Sequence, residues 1–327
     1  MYHWRNIRRN VLTISATAAL LFLLFISSSF TIHGSPKEKK PYWRFDSAKS
    51  CKNLKNLRNY RKCTKPVNLS KKTQEKEKDY KKLLISGSGQ VPYDTYDLLY
   101  KDLKKEAPEG AEIYMVDLRQ ESHGYLDEYA VSLHGKEHND INEGLLSVQV
   151  ILKELVDLYS IKGIETKIYS TNRDVTGLKT KTICSENVNS ERILSEDAGF
   201  KYIRFSAQDH HFPQDKTVDE FILFYKQLPK DSWLHFHCLA GRGRTSVFMI
   251  MYDLLKNPDL SMKRAANRQH MIGGRRIVSN SDSDQWSGSD FSDSERSKRL
   301  QLFRKYVRAN YKTGYKTSFS KWLKERK

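Results

Sequence analysis

Apolar positions along this chain switch repeatedly between a period of two and a period of 3.6, and that switching predicts its elements. Leu83 to Ser86 reads as a short strand closed by a Gly87-Ser88-Gly89 turn. A helix capped by Thr95 runs to about Lys105, and Pro108-Glu109-Gly110 stops the chain before a strand from Ala111 to Leu118. Gly144 to Tyr159 carries Leu, Val and Ile at helical spacing. Thr166 to Ser170 and Lys179 to Cys184 read as short strands, Ser190 to Ala198 as a capped helix, and Tyr202 to Ala207 as a returning strand. Thr217 and Glu220 match a capping box ahead of Phe221, Phe224, Tyr225 and Leu228. Trp233 to His237 has the character of a buried strand, and Thr245 to Lys256 is apolar nearly all round, as a central helix is. Helices follow over Met262 to His270, Lys298 to Ala309 and Ser320 to Lys327. Ser279 to Ser297, rich in Ser and Asp, fails the calcium-loop pattern and reads as a solvated surface loop.

Strands alternating with helices predict an α/β domain, a mainly parallel sheet flanked by helices, over residues 83–327. Short strands inserted around 125–185 predict a small β annex on it. Residues 1–34 have the form of a signal peptide or N-terminal anchor: Arg5, Arg8 and Arg9 precede an almost wholly apolar run from Val11 to Ile26. Either outcome places the body outside the cytoplasm, as a secreted, periplasmic or membrane-anchored protein. Residues 35–82 form a basic arm whose Tyr42, Trp43 and Phe45 predict partial docking on the core.

The net charge of +18 changes the picture only once it is located. The arm holds 17 basic and 5 acidic residues, so the body is nearly balanced. With no aromatic-interleaved base-reading motif beside it, this distribution argues against nucleic acid as a partner. The cysteines, Cys51, Cys63, Cys184 and Cys238, have no metal-ligand spacing, and no metal or other cofactor is expected. A Cys51–Cys63 disulfide and two free thiols both fit an exported arm. Asn68-Leu69-Ser70 is a weak glycosylation match.

The chemistry gathers at His237-Cys238-Leu239-Ala240-Gly241-Arg242-Gly243-Arg244-Thr245. A loop between a strand and a helix N-terminus offers unpaired amides and the positive end of the helix dipole to an anion. Gly241 and Gly243 let the backbone curl around it, and Arg244 adds a planar fork. A cysteine in that field is favoured as the thiolate, a nucleophile. The reaction such a loop suits is phosphoryl transfer: Cys238 attacks phosphorus, loop amides and Arg244 hold the non-bridging oxygens, and a phosphocysteine forms and is hydrolysed. Thr245 can donate its hydroxyl to the sulfur, and His237 is expected to fix the loop through hydrogen bonds. The departing alcohol needs a proton, for which Asp209, in a strand-exit loop ahead of Pro213, is the candidate, with Asp215 and Asp219 in reserve.

These residues resemble the signature of the protein tyrosine phosphatase superfamily. Further segments resemble its cysteine phytase branch, the tyrosine-phosphatase-like inositol polyphosphatases of bacteria. They are Ser86 to Gln90, Val116 to Gly124, Asp209-His210 with Pro213, Leu228-Pro229, Trp233 to His237, and Arg268-Gln269-His270 with Gly273-Gly274. The resemblance implies a phosphatase core with a small β-barrel annex, no metal cofactor, and stepwise removal of phosphates from myo-inositol hexakisphosphate. It assigns Cys238 as nucleophile, Asp209 as general acid and Arg244 as phosphate clamp, places the loop residues Leu239 to Gly243 around the substrate, and adds His210 and Asp140 to the pocket. Arg61 resembles part of an N-terminal segment that reaches a substrate phosphate. Leu239 stands where these enzymes often have an acid and Arg242 where they have a small apolar residue, so the loop is more positive. Of the family's lysine and tyrosine contacts near residues 275–298, only Arg296 or Lys298 aligns. A phosphotyrosine or phosphoinositide phosphatase shares every catalytic residue. A catalytically silent polyanion-binding module is the rival from another class, against which intact Cys238, Asp209 and Arg244 argue.

Overall fold

The computed structural model describes residues 40–47, 50–67, 77–135, 140–170, 179–275, 277 and 291–326. The expected signal segment and the Asn68 sequon lie outside them. Every described strand and helix belongs to the compact unit Pro41–Lys327. In chain order its elements are β1 (Tyr42–Phe45), β2 (Arg61–Lys62), β3 (Ile85–Ser88), α1 (Tyr96–Lys104), β4 (Ile113–Arg119), β5 (His123–Leu126), β6 (Tyr129–His134) and α2 (Ser147–Tyr159). Then come β7 (Thr166–Ile168), β8 (Lys181–Ile183), β9 (Val188–Asn189), α3 (Glu191–Asp197), β10 (Lys201–Ala207), α4 (Asp215–Gln227) and β11 (Trp233–His237). The chain ends with α5 (Gly243–Lys256), α6 (Met262–Met271), α7 (Phe291–Asn310) and α8 (Phe319–Lys324).

The main sheet runs β10-β4-β11-β3-β2, parallel except for the edge strand β2, which pairs antiparallel with β3. Alternate side chains on its strands enter different cores, as a sheet covered on both faces requires. Ile113, Met115 and Trp233 join Leu99 and Leu103 of α1 in one core, while Val116, Leu118, Leu234 and Phe236 meet Val247, Phe248 and Ile250 of α5 in the other. Every residue of α5 from Arg244 to Leu255 is buried, which makes it the expected central helix. Its N-terminus thereby lies at the carboxyl ends of the parallel strands, where such sheets bind ligands.

The annex has its own core around Trp43, Phe45, Leu126, Val131, Ile168 and Val188. Its four-stranded antiparallel sheet, β1-β6-β5-β9, is joined to the β7–β8 ribbon where Tyr169 exchanges backbone hydrogen bonds with Trp43 and Phe45. β8 and β9 are not paired with each other, so among the described residues the annex is an open sheet instead of the barrel expected.

Several local expectations change. Gly87 belongs to β3 and not to a turn: a Cβ there would stand 2.7 Å from Cγ2 of Thr245, so glycine lets the strand approach the head of α5. The Thr217–Glu220 capping box does not form, because Thr217 donates to the Ser206 carbonyl and α4 already begins at Asp215. Cys51 and Cys63 are free and buried in different cores. Residues 291–297, expected in a solvated loop, are the first turns of α7, and Arg296 and Ser297 are buried. No helix among the described residues is long and apolar enough to cross a membrane.

Candidate active site

Cys238 directly follows β11 at the floor of the loop that leads into α5, almost wholly buried. Its sulfur accepts hydrogen bonds from the Gly241 amide and the Thr245 hydroxyl, both at 3.2 Å, two donors that favour negative charge on Sγ.

The loop's amides face inward because its carbonyls are held outward. Leu239 O accepts from the Gln90 amide at 3.1 Å, Ala240 O from Asn59 Nδ2 at 2.7 Å, Gly241 O from Arg61 Nη1 at 2.6 Å and Arg242 O from the Ser246 amide at 3.0 Å. No peptide bond here is cis, and in a trans peptide the N–H points opposite to the preceding C=O. Each outward carbonyl therefore turns the next amide into the cradle. Gly241 itself has φ +70° and packs so closely on β3's exit that a Cβ would lie 2.3 Å from Gly89 N, which excludes every other residue type.

Arg244 is buried above this floor, its Nη1 and Nη2 gripping the two oxygens of Glu121 at 2.7 and 3.0 Å and Nη1 also donating to Ala207 O. Its Nε stands 3.3 Å from Asp209 Oδ1. Burial would push the Asp209 carboxyl up, but Arg244 outweighs this and holds it below the usual carboxylate range. The clamp and the candidate acid thus rest against each other. Glu121 is itself pinned by Arg119, whose Nε lies 2.8 Å from Oε1 and whose Nη1 reaches Asp46 Oδ2 at 2.8 Å.

The other expected residues divide. His210, in the left-handed region at φ +67°, is half exposed beside Asp209. Arg242 is exposed at the rim, with Leu239, Ala240 and Gly243 partly so. Arg296 donates from Nε to His211 O, and its guanidinium covers Gly243 so closely that a Cβ there would lie 2.6 Å from Nη1. Glu295 accepts from the Phe212 amide, so the head of α7 supports the loop carrying Asp209. Asp140 is exposed and packs on Gly135; among the described residues none of its hydrogen bonds or ion pairs reaches the phosphate loop.

Two expectations are corrected. Arg61 does not face the cradle: antiparallel pairing of β2 with β3 carries it behind the loop, where it is buried against Gly241 O. His237 is fully buried with neither ring nitrogen hydrogen-bonded, so it does not fix the loop by that means; Nε2 lies 3.3 Å from Glu191 Oε1. Burial pushes its imidazole below the ordinary value despite Glu191 and Asp117, which keeps it neutral. The strand is fixed instead by His235, whose ring bridges the Ser86 and Ser88 hydroxyls of β3.

Beneath the loop, Asp117, His123 and Glu191 bring ligand atoms within 4.8 Å of one another, the spacing of a metal site. Arginine already occupies it: Arg204 Nε is 3.1 Å from Asp117 Oδ2, and its Nη2 is 3.1 Å from His123 Nδ1. Burial and Arg119 push the His123 imidazole down, but Glu154 and Asp117 prevail and raise it to about 10. The folded state then binds this proton more tightly than the unfolded chain. Its stabilisation is complete below about pH 6.5 and lost as pH rises through 10. Urea unfolding at pH 7 and pH 10 is expected to show wild type losing about 3 kcal/mol more between the two than His123→Gln.

Comparison with known proteins agrees with this geometry. Residues 116–256 match the family profile of PTP-like phytases, described by inositol hexakisphosphate. A PTP-like myo-inositol phosphatase from Mitsuokella multacida, solved with myo-inositol-(1,3,4,5)-tetrakisphosphate, is 30% identical with a TM-score of 0.75, over 92% of this chain and 52% of that one. A PTP-like phytase from Bdellovibrio bacteriovorus is 25% identical with a TM-score of 0.65, over 90% of this chain and 98% of that one. The effector protein hopD2 of Pseudomonas syringae pv. tomato is 32% identical over 153 residues, 45% of this chain. The chain spans about half of the Mitsuokella chain and 32% of the effector's length. These relatives are bacterial, and over residues 116–256 the chain is similar to the PTP-like phytases.

Proposed function

We propose that this protein is a phosphatase that removes phosphate from myo-inositol hexakisphosphate and lower inositol polyphosphates through a cysteinyl-phosphate intermediate. One observation carries the chemistry: Cys238 Sγ takes two hydrogen bonds at the floor of an inward-facing amide loop, with Arg244 and Asp209 paired 3.3 Å apart above it. A phosphate entering the loop meets the amides and Arg244. Sγ attacks phosphorus, the P–O bond to the inositol breaks, and Asp209 gives the leaving oxygen its proton. Water then attacks the phosphocysteine and Asp209, now ionised, takes its proton; the thiolate leaves, steadied by Thr245 and Gly241. The resting pair keeps Asp209 ionised, but a bound phosphate draws on Arg244 and adds negative charge beside the carboxyl, and both favour the protonated acid.

The substrate class is supported by the family match and by the relative bound to inositol tetrakisphosphate. His210 and Arg242 at the rim, the buried Arg296 beside Gly243, and Asp140 are proposed to contact the ring and its other phosphates. The basic and apolar start of the chain supports export. The test is phosphate release from inositol hexakisphosphate, a phosphotyrosine peptide and phosphoinositide vesicles, with Cys238→Ser as the blank. Inositol hexakisphosphate is expected to turn over fastest; release from the peptide or the vesicles alone refutes the assignment.

A further inference from the structure

We propose that Arg61 is a positioning residue of the phosphate loop, a cation behind the backbone that aims an amide into the cradle and lends its charge to the anion held there. The inference rests on Cys238 being the nucleophile. Nη1 donates to Gly241 O at 2.6 Å and Asn59 O at 3.1 Å, while Nη2 donates to Ser246 Oγ at 3.2 Å. By the trans-peptide geometry, holding the Gly241 carbonyl outward turns the Arg242 amide inward. One guanidinium therefore ties the loop to the first turn of α5.

Its charge is the second observation. Four other buried arginines have carboxylates: Arg119 has Asp46 and Glu121, Arg204 has Asp117 and Glu154, Arg244 has Glu121 and Asp209, and Arg268 has Glu77, Asp79 and Asp253. Arg61 is only 5% exposed, and among the described residues no carboxylate pairs with it. Burial lowers it to about 10, Tyr80 and Cys238 oppose that, and Arg242 adds to it. A buried cation without a counter-charge is costly. Here the missing charge is supplied at the loop's inner side, by the thiolate and then by phosphate.

The test compares wild type with Arg61→Met and Arg61→Lys, following alkylation of Cys238 by iodoacetate between pH 5 and 8 and its protection by inorganic phosphate. The other charged or titratable groups facing the sulfur stay in place: Arg244 from α5, His237 from β11, Asp209 and Glu121 from the strand exits, and Arg242 from the loop. Arg61→Met is expected to be alkylated about tenfold more slowly near pH 6, and phosphate to protect it about tenfold less well. Arg61→Lys is expected to keep the alkylation profile but lose about tenfold in kcat, since an ammonium cannot hold Gly241 O and Ser246 Oγ together. A cooperatively melting Arg61→Met with wild-type alkylation and protection overturns the proposal. Should that variant not fold, an Arg61→Lys enzyme with unchanged kcat does so. Alkylation needs no phosphate ester, so a wild type inert towards inositol hexakisphosphate would sink the substrate assignment and leave this one standing.

Discussion

Cys238→Ser is expected to lower turnover of inositol hexakisphosphate by at least about a thousandfold while leaving its binding intact. Serine fits the space, because Cys238 is buried and the Gly241 amide and Thr245 hydroxyl stay where they are. What is lost is a sulfur nucleophile that attacks phosphorus and then leaves it readily; a hydroxyl does neither here, since the ring beside it, His237, is neutral and faces Glu191 instead of acting as a base. Binding survives because the cradle is made by backbone amides and Arg244. Phosphate release with titration calorimetry separates the two effects. A quenched wild-type reaction should also place a phosphate adduct on the Cys238 peptide, and the variant should show none. Residual turnover within tenfold of wild type would remove Cys238 from the mechanism.

How much of this was legible in the sequence depends on the range over which each feature is determined. The loop at Cys238 was readable because everything it needs is local: strand, glycines, arginine and helix head occupy thirteen consecutive positions from Trp233 to Thr245. The grip of Glu121 on Arg244 was not, since the two lie 123 residues apart; the only local sign was an acid two residues after Arg119 at a strand exit. Arg61 sat on the right segment, but an edge strand's pairing direction decides which side of the loop it meets, and that direction is set by β3, not by its own neighbours. The head of α7 was hidden by composition. Ser and Asp at residues 292–294 are weak helix formers in isolation, and tertiary contacts of Glu295, Arg296 and Arg299 with the Asp209 loop and with Asp215 override that preference.

Asp209→Asn is expected to cost about a hundred- to ten-thousandfold in kcat on inositol hexakisphosphate, and far less on an aryl phosphate with an activated leaving group. An inositol alkoxide is a poor leaving group and needs protonation as the P–O bond breaks, whereas an electron-poor phenoxide departs without help. Asparagine keeps the shape beside Arg244 but has no proton to give and no charge to pair with Nε, 3.3 Å away. Two further consequences separate loss of the acid from a damaged site. In wild type, activity on the inositol substrate should fall as pH rises and Asp209 in the complex deprotonates, and the variant should lack this basic limb. Without the Asp209 carboxylate, Arg244 is released towards phosphate, so inorganic phosphate should bind the variant at least as tightly as wild type. Equal losses on both substrates, with the basic limb retained, would move the acid's role to another residue. The head of α7 places Glu295 and Arg296 on the loop bearing Asp209, so cutting that support should reproduce a weaker form of the same leaving-group dependence.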